Sequence, residues 1–240
     1  CMAAYTTSVI GLPVDASKEI KRSTTVYPPS LWRDFFLSPQ YKNKKVDEAT
    51  LDEAERLKHE VRITLVETIV DPREKLQFID TIQRLGVEYH FDKEIEDVLT
   101  ALERDLANNR EALCGDLLTA SLVFRLLRQQ SFNVSCNIFE RFKDENGDFK
   151  GDIPAILSLY EATALAVQGE KILDEALAFS VKHLKEELKN MEPHLSQQVA
   201  HALKWPLRKR LTRMEAMYYL SVYPQEESHN GALYNFAKMD

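Results

Sequence analysis

The run Asp144-Glu145-Asn146-Gly147-Asp148 is the first candidate for chemistry, because Asp144, Asn146 and Asp148 stand where a calcium loop offers its first oxygen ligands. The sixth position is Phe149 where such a loop needs Gly for its sharp turn, and the twelfth is Ala155 where it needs a bidentate Glu. The run therefore reads as a polar turn between helices. His59-Glu60 opens a zinc-protease pattern, but its second His would fall on Ile63. His194 and His201 share one helix face, yet two imidazoles without a carboxylate or thiolate nearby do not complete a metal site, and they read as surface residues. No Asp directly follows another Asp, so the paired-aspartate motifs that clamp Mg²⁺ cannot be written here. Neither a Gly-rich phosphate loop nor a G-x-S-x-G elbow occurs. No metal and no catalytic residue are assigned.

Lys204, Arg208, Lys209, Arg210 and Arg213 form the one basic cluster, with Trp205 beside it, a combination that also serves nucleic-acid binding. The whole chain carries a formal charge of -7, which repels phosphate backbones and anionic membrane surfaces alike. The cluster is instead expected to pair with Glu side chains or to meet another domain. Cys1, Cys114 and Cys136 form no C-x-x-C pair and are odd in number, which fits reduced thiols. Cys1 stands before Met2 and is given no role. The stretch before Arg22 carries Asp15 and Glu19, unlike an acid-poor transit peptide, and no apolar run reaches the length of a membrane span. A cytoplasmic protein without membrane contact is expected.

The elements that must position these residues are helices. Residues 1–46 place Pro13, Pro28, Pro29 and Pro39 among Ser and Thr without a helical period, and read as an extended arm. From Asp47 the pattern changes: Leu51, Ala54, Leu57, Val61, Leu65 and Ile69 recur in steps of three and four, one face of a long amphipathic helix that Pro72 stops. A second helix from Arg73 carries Leu76, Ile79, Ile82 and Leu85 and closes at Gly86. The third carries Ile95, Val98, Leu99, Leu102 and Leu106, while Leu117 to Leu127 is apolar over more of its circumference and predicts burial on several sides. Further helices are expected over Ile153–Val167, Lys171–Lys189, Glu192–Leu203, Leu211–Val222 and from Gly231 onward. No segment alternates long enough for a strand, so 47–240 reads as one all-α domain of antiparallel helices.

Several runs resemble, in order, those of plant terpene synthases. Arg22, Ser23, eight residues and Trp32 are similar to the signature R-x-x8-W, although Lys21-Arg22-Ser23 stands where monoterpene synthases carry paired arginines and sesquiterpene synthases often Arg-Pro. Residues 79–95 resemble a family segment, as do Phe124-Arg125-Leu126-Leu127-Arg128-Gln129, Leu159-Tyr160-Glu161-Ala162 with Gly169-Glu170 and Leu173-Asp174-Glu175-Ala176, and Pro206 to Tyr223. Asn235 to Asp240 is similar to the family's A-K-L-D-F junction ahead of the catalytic domain.

The resemblance implies an α/α barrel, a toroid of antiparallel helix pairs, forming the N-terminal domain of a class I enzyme, with a sesquiterpene synthase acting on farnesyl diphosphate as the expected parent. It implies that Mg²⁺ belongs to a separate C-terminal catalytic domain and that this chain alone is inactive. It gives Arg22 and Lys21 the role of active-site cap near the diphosphate, excluding water from carbocations, and makes Trp32 the packing anchor of the arm. Arg22 as a plain solvated arm residue is the other reading. A free-standing helical scaffold is the alternative for the whole chain, and self-association is expected of a domain separated from its partner.

Overall fold

A computed structural model describes residues 37–38, 47–108, 113–226 and 229–240. Lys21, Arg22 and Trp32 lie outside these residues, as does the arm 1–46 apart from Leu37 and Ser38.

Short polar side chains write most of the helix starts, because each satisfies a backbone N–H that the first turn leaves without a partner. Asp47 accepts from the Thr50 N–H at 2.6 Å and opens α1 (Glu48–Ile63). The period that reaches Ile69 in the sequence does not continue as α-helix. The chain widens into a π-helical turn over Thr64–Thr68, with the Ile69 N–H bonded to the Thr64 carbonyl at 3.1 Å. Pro72 then starts a helix rather than ending one: Asp71 caps α2 (Pro72–Arg84), and Pro at the first position has no N–H to leave orphaned.

Helix α2 ends as its Gly predicts. Gly86 sits at φ +72°, its N–H bonds to Gln83 O at 3.0 Å, and the Val87 N–H reaches Ile82 O at 3.3 Å, the paired bonds of a Schellman cap. Next come α3 (Asp92–Asn108), then α4 (Leu117–Gln129), whose cap Asp116 accepts from the Thr119 N–H at 2.9 Å. Helix α5 (Ile153–Thr163) is capped by Asp152, and α6 (Lys171–Glu187), α7 (Pro193–Lys204) and α8 (Thr212–Val222) follow. Asn230 accepts from the Leu233 N–H at 2.8 Å and opens α9 (Gly231–Met239).

The core forms around α4, which is buried on several sides as its composition predicts: Leu117 and every residue from Thr119 to Leu127 are enclosed. It packs against α2, α3 and α5, and α5 in turn packs against α6. Large side chains such as Phe124 and Phe139, edge to face at 5.1 Å, are removed from solvent here. Each such burial contributes on the order of 2 kcal/mol. Helix α9 returns to pack on α1, so among the described residues the last helix meets the first and the succession closes on itself. Among the described residues the only extended pairing is an isolated bridge between Lys143 and Phe149. It flanks the turn at Asp144, whose carboxylate accepts the N–H groups of Asn146 (2.8 Å) and Asp148 (3.0 Å). That side chain satisfies its own turn, as the polar-turn reading expects.

Candidate functional site

Charged residues inside this barrel have to be paired, since an isolated buried charge costs far more than the burial of its neighbours returns. On α2, Asp80 and Arg84 are four residues apart and share one face, where Arg84 Nε donates to Asp80 Oδ2 at 2.9 Å. Arg125, 2% exposed on α4, donates to the other oxygen, Asp80 Oδ1, at 2.6 Å. Arg84 also forks onto Glu161 of α5, with Nη1 at 3.2 Å from Oε1 and Nη2 on Oε2. From the turn after α7, Arg210 reaches Glu161 Oε1 and Glu215 Oε1 of α8, both at 3.0 Å. His201 of α7 completes the network at 2.7 Å from Glu215 Oε2.

Three guanidiniums thus meet three carboxylates, joining α2, α4, α5, α7 and α8 through one network. It borders a cavity of about 290 Å³ that Gln77, Gln198, Tyr219 and Glu226 also line. Burial pushes the Glu161 carboxyl up, but Arg84, Arg125 and Arg210 outweigh it and hold the group well below the usual carboxylate range. Asp80 behaves alike: burial opposes ionisation, and Arg125 with Arg84 prevails. Among the described residues no guanidinium hydrogen-bonds Glu226, and burial lifts it despite hydrogen bonds from Tyr219 and Gln198.

A carboxylate held this low is a weak base, so the arrangement fastens helices instead of moving protons. Linkage gives the sign of its pH dependence. Asp80 and Glu161 have folded pKa values below their unfolded ones, so their stabilisation is complete above the ordinary carboxylate range and is lost as pH falls through the lowered values. Glu226, raised in the fold, opposes this trend between its unfolded and folded values. The urea midpoint is expected to fall steeply from about pH 5 to about pH 2, and Glu161→Gln should flatten that fall. A midpoint independent of pH over this window would contradict the ionised network.

A second node lies beside the first. Arg128 of α4 places its guanidinium 4.1 Å from the Phe124 ring centroid. It donates to Val134 O (3.0 and 2.6 Å), to Leu165 O (3.0 Å) and to both Glu170 oxygens (2.7 and 2.5 Å). The hydrogen bond from Arg128 brings Glu170 down to about 2.

Of the cluster of cations seen in the sequence, Arg210 pairs with Glu161 and Glu215, and Arg213 pairs with Asp240, as the ion-pair reading expects. Lys204, Arg208 and Lys209 are exposed. His201 corrects its surface reading: it bonds Glu215 and stacks on Tyr218 with ring centroids 3.5 Å apart. Separation along the chain hid that carboxylate, fourteen residues away on the next helix. Among the described residues no group of three or more His, Cys, Asp or Glu is placed to hold a metal ion.

An all-helical barrel whose interior is fastened by buried arginine–carboxylate pairs is the class this fold and site define. The terpene synthase N-terminal domain family matches residues 31–203, and the chain belongs to that family. It is 47% identical over 232 residues to a (+)-delta-cadinene synthase isozyme of Gossypium arboreum, covering 95% of this chain and 41% of that protein. With a (-)-germacrene D synthase of Vitis vinifera the identity is 46%, over 93% of this chain and 40% of the relative. The chain therefore spans about two fifths of the length of these curated relatives.

Solved structures agree. Limonene synthase with 2-fluorolinalyl diphosphate is similar at a TM-score of 0.79 and 31% identity, over 90% of this chain and 41% of that one. Isoprene synthase from grey poplar leaves (Populus x canescens) is similar at 0.74 and 37%, over 90% and 40%.

The runs that carry the family resemblance have a physical meaning in this fold. Asp80 and Arg84, Arg125 and Arg128, Glu161 and Glu170, and Arg210 and Glu215 each come from one of them, and all enter the two buried nodes. Sequence reasoning missed the network, although a signal was present: Arg125 and Glu161 are single charges inside otherwise apolar helical stretches.

Proposed function

We propose that this chain is the N-terminal domain of a plant class I sesquiterpene synthase, bracing and capping a catalytic domain that follows it and performing no catalysis itself. The observation that carries the reading is the match at 46–47% identity to sesquiterpene synthases of which this chain accounts for about two fifths. The interior supports it too, because Asp80, Glu161 and Glu215 are committed to arginines that brace the helices. In the complete protein, Mg²⁺ bound by the catalytic domain would neutralise the diphosphate leaving farnesyl diphosphate. Lys21 and Arg22 would close over that site as a cationic cap, and Trp32 would anchor the arm. No helix among the described residues is long and apolar enough to cross a membrane, and the same reading places the protein in the cytosol.

The test joins this chain through Asp240 to the remaining part of the Gossypium cadinene synthase and analyses products by gas chromatography after incubation with farnesyl diphosphate and Mg²⁺. The chain alone should yield no terpene, and the joined protein should yield sesquiterpene. Replacing Lys21 and Arg22 with Ala should lower its turnover by about one to two orders of magnitude. Terpene from the chain alone, or a joined protein as inactive as the chain, would overturn the proposal.

A further inference from the structure

A second cavity, of about 420 Å³, lies where the ends of α2 and α4 meet the start of α8. It shares Asp80, Arg84, Arg210 and Glu215 with the first. Its further lining includes Gln83 near the end of α2, Glu88 in the turn that follows, Arg125 of α4 and Leu207 in the turn ahead of α8. Gln129, Gln130 and Thr212 are exposed and give it an uncharged, hydrogen-bonding rim.

What sets this cavity apart is the hydrogen bonding left undone in it. Six buried side-chain oxygen or nitrogen atoms find no partner among the described residues, and three of them, Arg125 Nε, Gln83 Oε1 and Glu88 Oε2, belong to residues lining this one cavity. Arg125 is 2% exposed and donates through Nη2 to Asp80, while its Nε–H finds no acceptor in the fold. Buried polar groups are almost always paired, so three stranded together mark a place where a partner from outside the chain completes the set.

One donor and two acceptors define that partner. A hydroxyl accepts from an N–H and donates to an oxygen, so a molecule with neighbouring hydroxyls can satisfy all three. Phosphate oxygens would instead face Gln83 Oε1 and Glu88 Oε2, acceptors like themselves. The wall charges are balanced as well, Arg84, Arg125 and Arg210 against Asp80, Glu88 and Glu215, which favours an uncharged ligand. A hydrocarbon chain is a poor fit, because Leu207 is the one apolar side chain in the lining. The volume falls within the range of small-molecule sites, roughly 300–1,000 Å³, and far exceeds the ~30 Å³ of a single bridging water. The walls are also fixed in advance. A Cβ at Gly86 would stand 3.1 Å from the Ala216 Cβ, so glycine lets the end of α2 settle directly against α8, and the ion pairs hold Arg84 and Arg125 in place.

We infer that this cavity is a binding site for a small uncharged polyol, such as a monosaccharide or a cyclitol, with the Arg125 Nε–H donating to a ligand oxygen and Gln83 and Glu88 accepting from its hydroxyls. The inference does not rest on the proposed function, and its test uses this chain by itself.

Titration of the isotope-labelled chain with myo-inositol and with D-glucose, followed through its arginine Nε–H and backbone amide resonances, tests the site. A Kd on the order of 1 mM is expected for a ligand of about a dozen non-hydrogen atoms. The shifts should concentrate at the Arg125 side chain and over residues 83–88. Gln83→Leu removes an acceptor that has no partner in the fold, so it should weaken binding by about tenfold with the urea midpoint unchanged. Leu207→Trp fills the cavity from a position outside the ion network and should abolish binding, which keeps the test decisive if Gln83→Leu folds poorly. No shifts with either polyol, shifts confined to other parts of the barrel, binding that survives both substitutions, or inorganic diphosphate binding more tightly than either polyol would overturn the inference, the first by leaving the three atoms to ordered water.

Discussion

Replacing Glu161 with Gln should destabilise the domain by about 3–5 kcal/mol, the cost of removing one member of a buried ion network and leaving its partners' charges uncompensated. Glu161 is 3% exposed and receives Arg84 through both oxygens and Arg210 through one. Gln keeps the shape and one acceptor but supplies no negative charge, so two guanidiniums would meet the remaining pair, Asp80 and Glu215, with Arg125 still drawing on Asp80. A domain of ordinary stability holds about 5–15 kcal/mol in total, so this substitution should consume a large fraction of it. Urea denaturation followed by circular dichroism measures the loss. A change below about 1 kcal/mol would mean that the network is solvated in solution and does not brace the helices.

The second large effect is expected at Arg128→Lys. The guanidinium binds Val134 O, Leu165 O and Glu170 simultaneously, a planar fork that links the end of α4, the turn after α5 and the residue that opens α6. Lys keeps the charge but offers three donors from a single atom, which cannot span those acceptors, and it loses the planar face against Phe124. Leaving buried carbonyls unpaired and loosening the Glu170 contact should cost about 2–4 kcal/mol. Faster amide exchange should be concentrated around residues 131–135 and 164–171, with the Glu170 pKa rising from about 2 toward the ordinary value. Uniform loss of protection throughout the barrel would instead show that Arg128 acts globally.

Glu161 and Arg128 were visible in the sequence as parts of family-like runs, but their roles there were not. Periodicity located the helices because an apolar face repeats every three to four residues whatever it packs against. Thus the ends of α2 at Gly86, the burial of α4 around its circumference and the helices α6 to α9 are found close to where the pattern places them. The pattern ran too far at Ile69 and Val167, where the chain leaves α geometry while apolar residues continue.

What the sequence determined by itself was the helix content, the caps and the family, since each depends on residues within a few positions of one another or on their order along the chain. What only the tertiary structure decided was which charges meet. Arg84 finds Glu161 seventy-seven residues away and Arg125 finds Asp80 forty-five away, because curvature of the helical succession brings α2, α4 and α5 together. Closure likewise decided that α8 is tied to Asp240, through Arg213. Pairing of buried charges is a condition on neighbours in space, and neighbours in space are set by how the whole ring of helices packs.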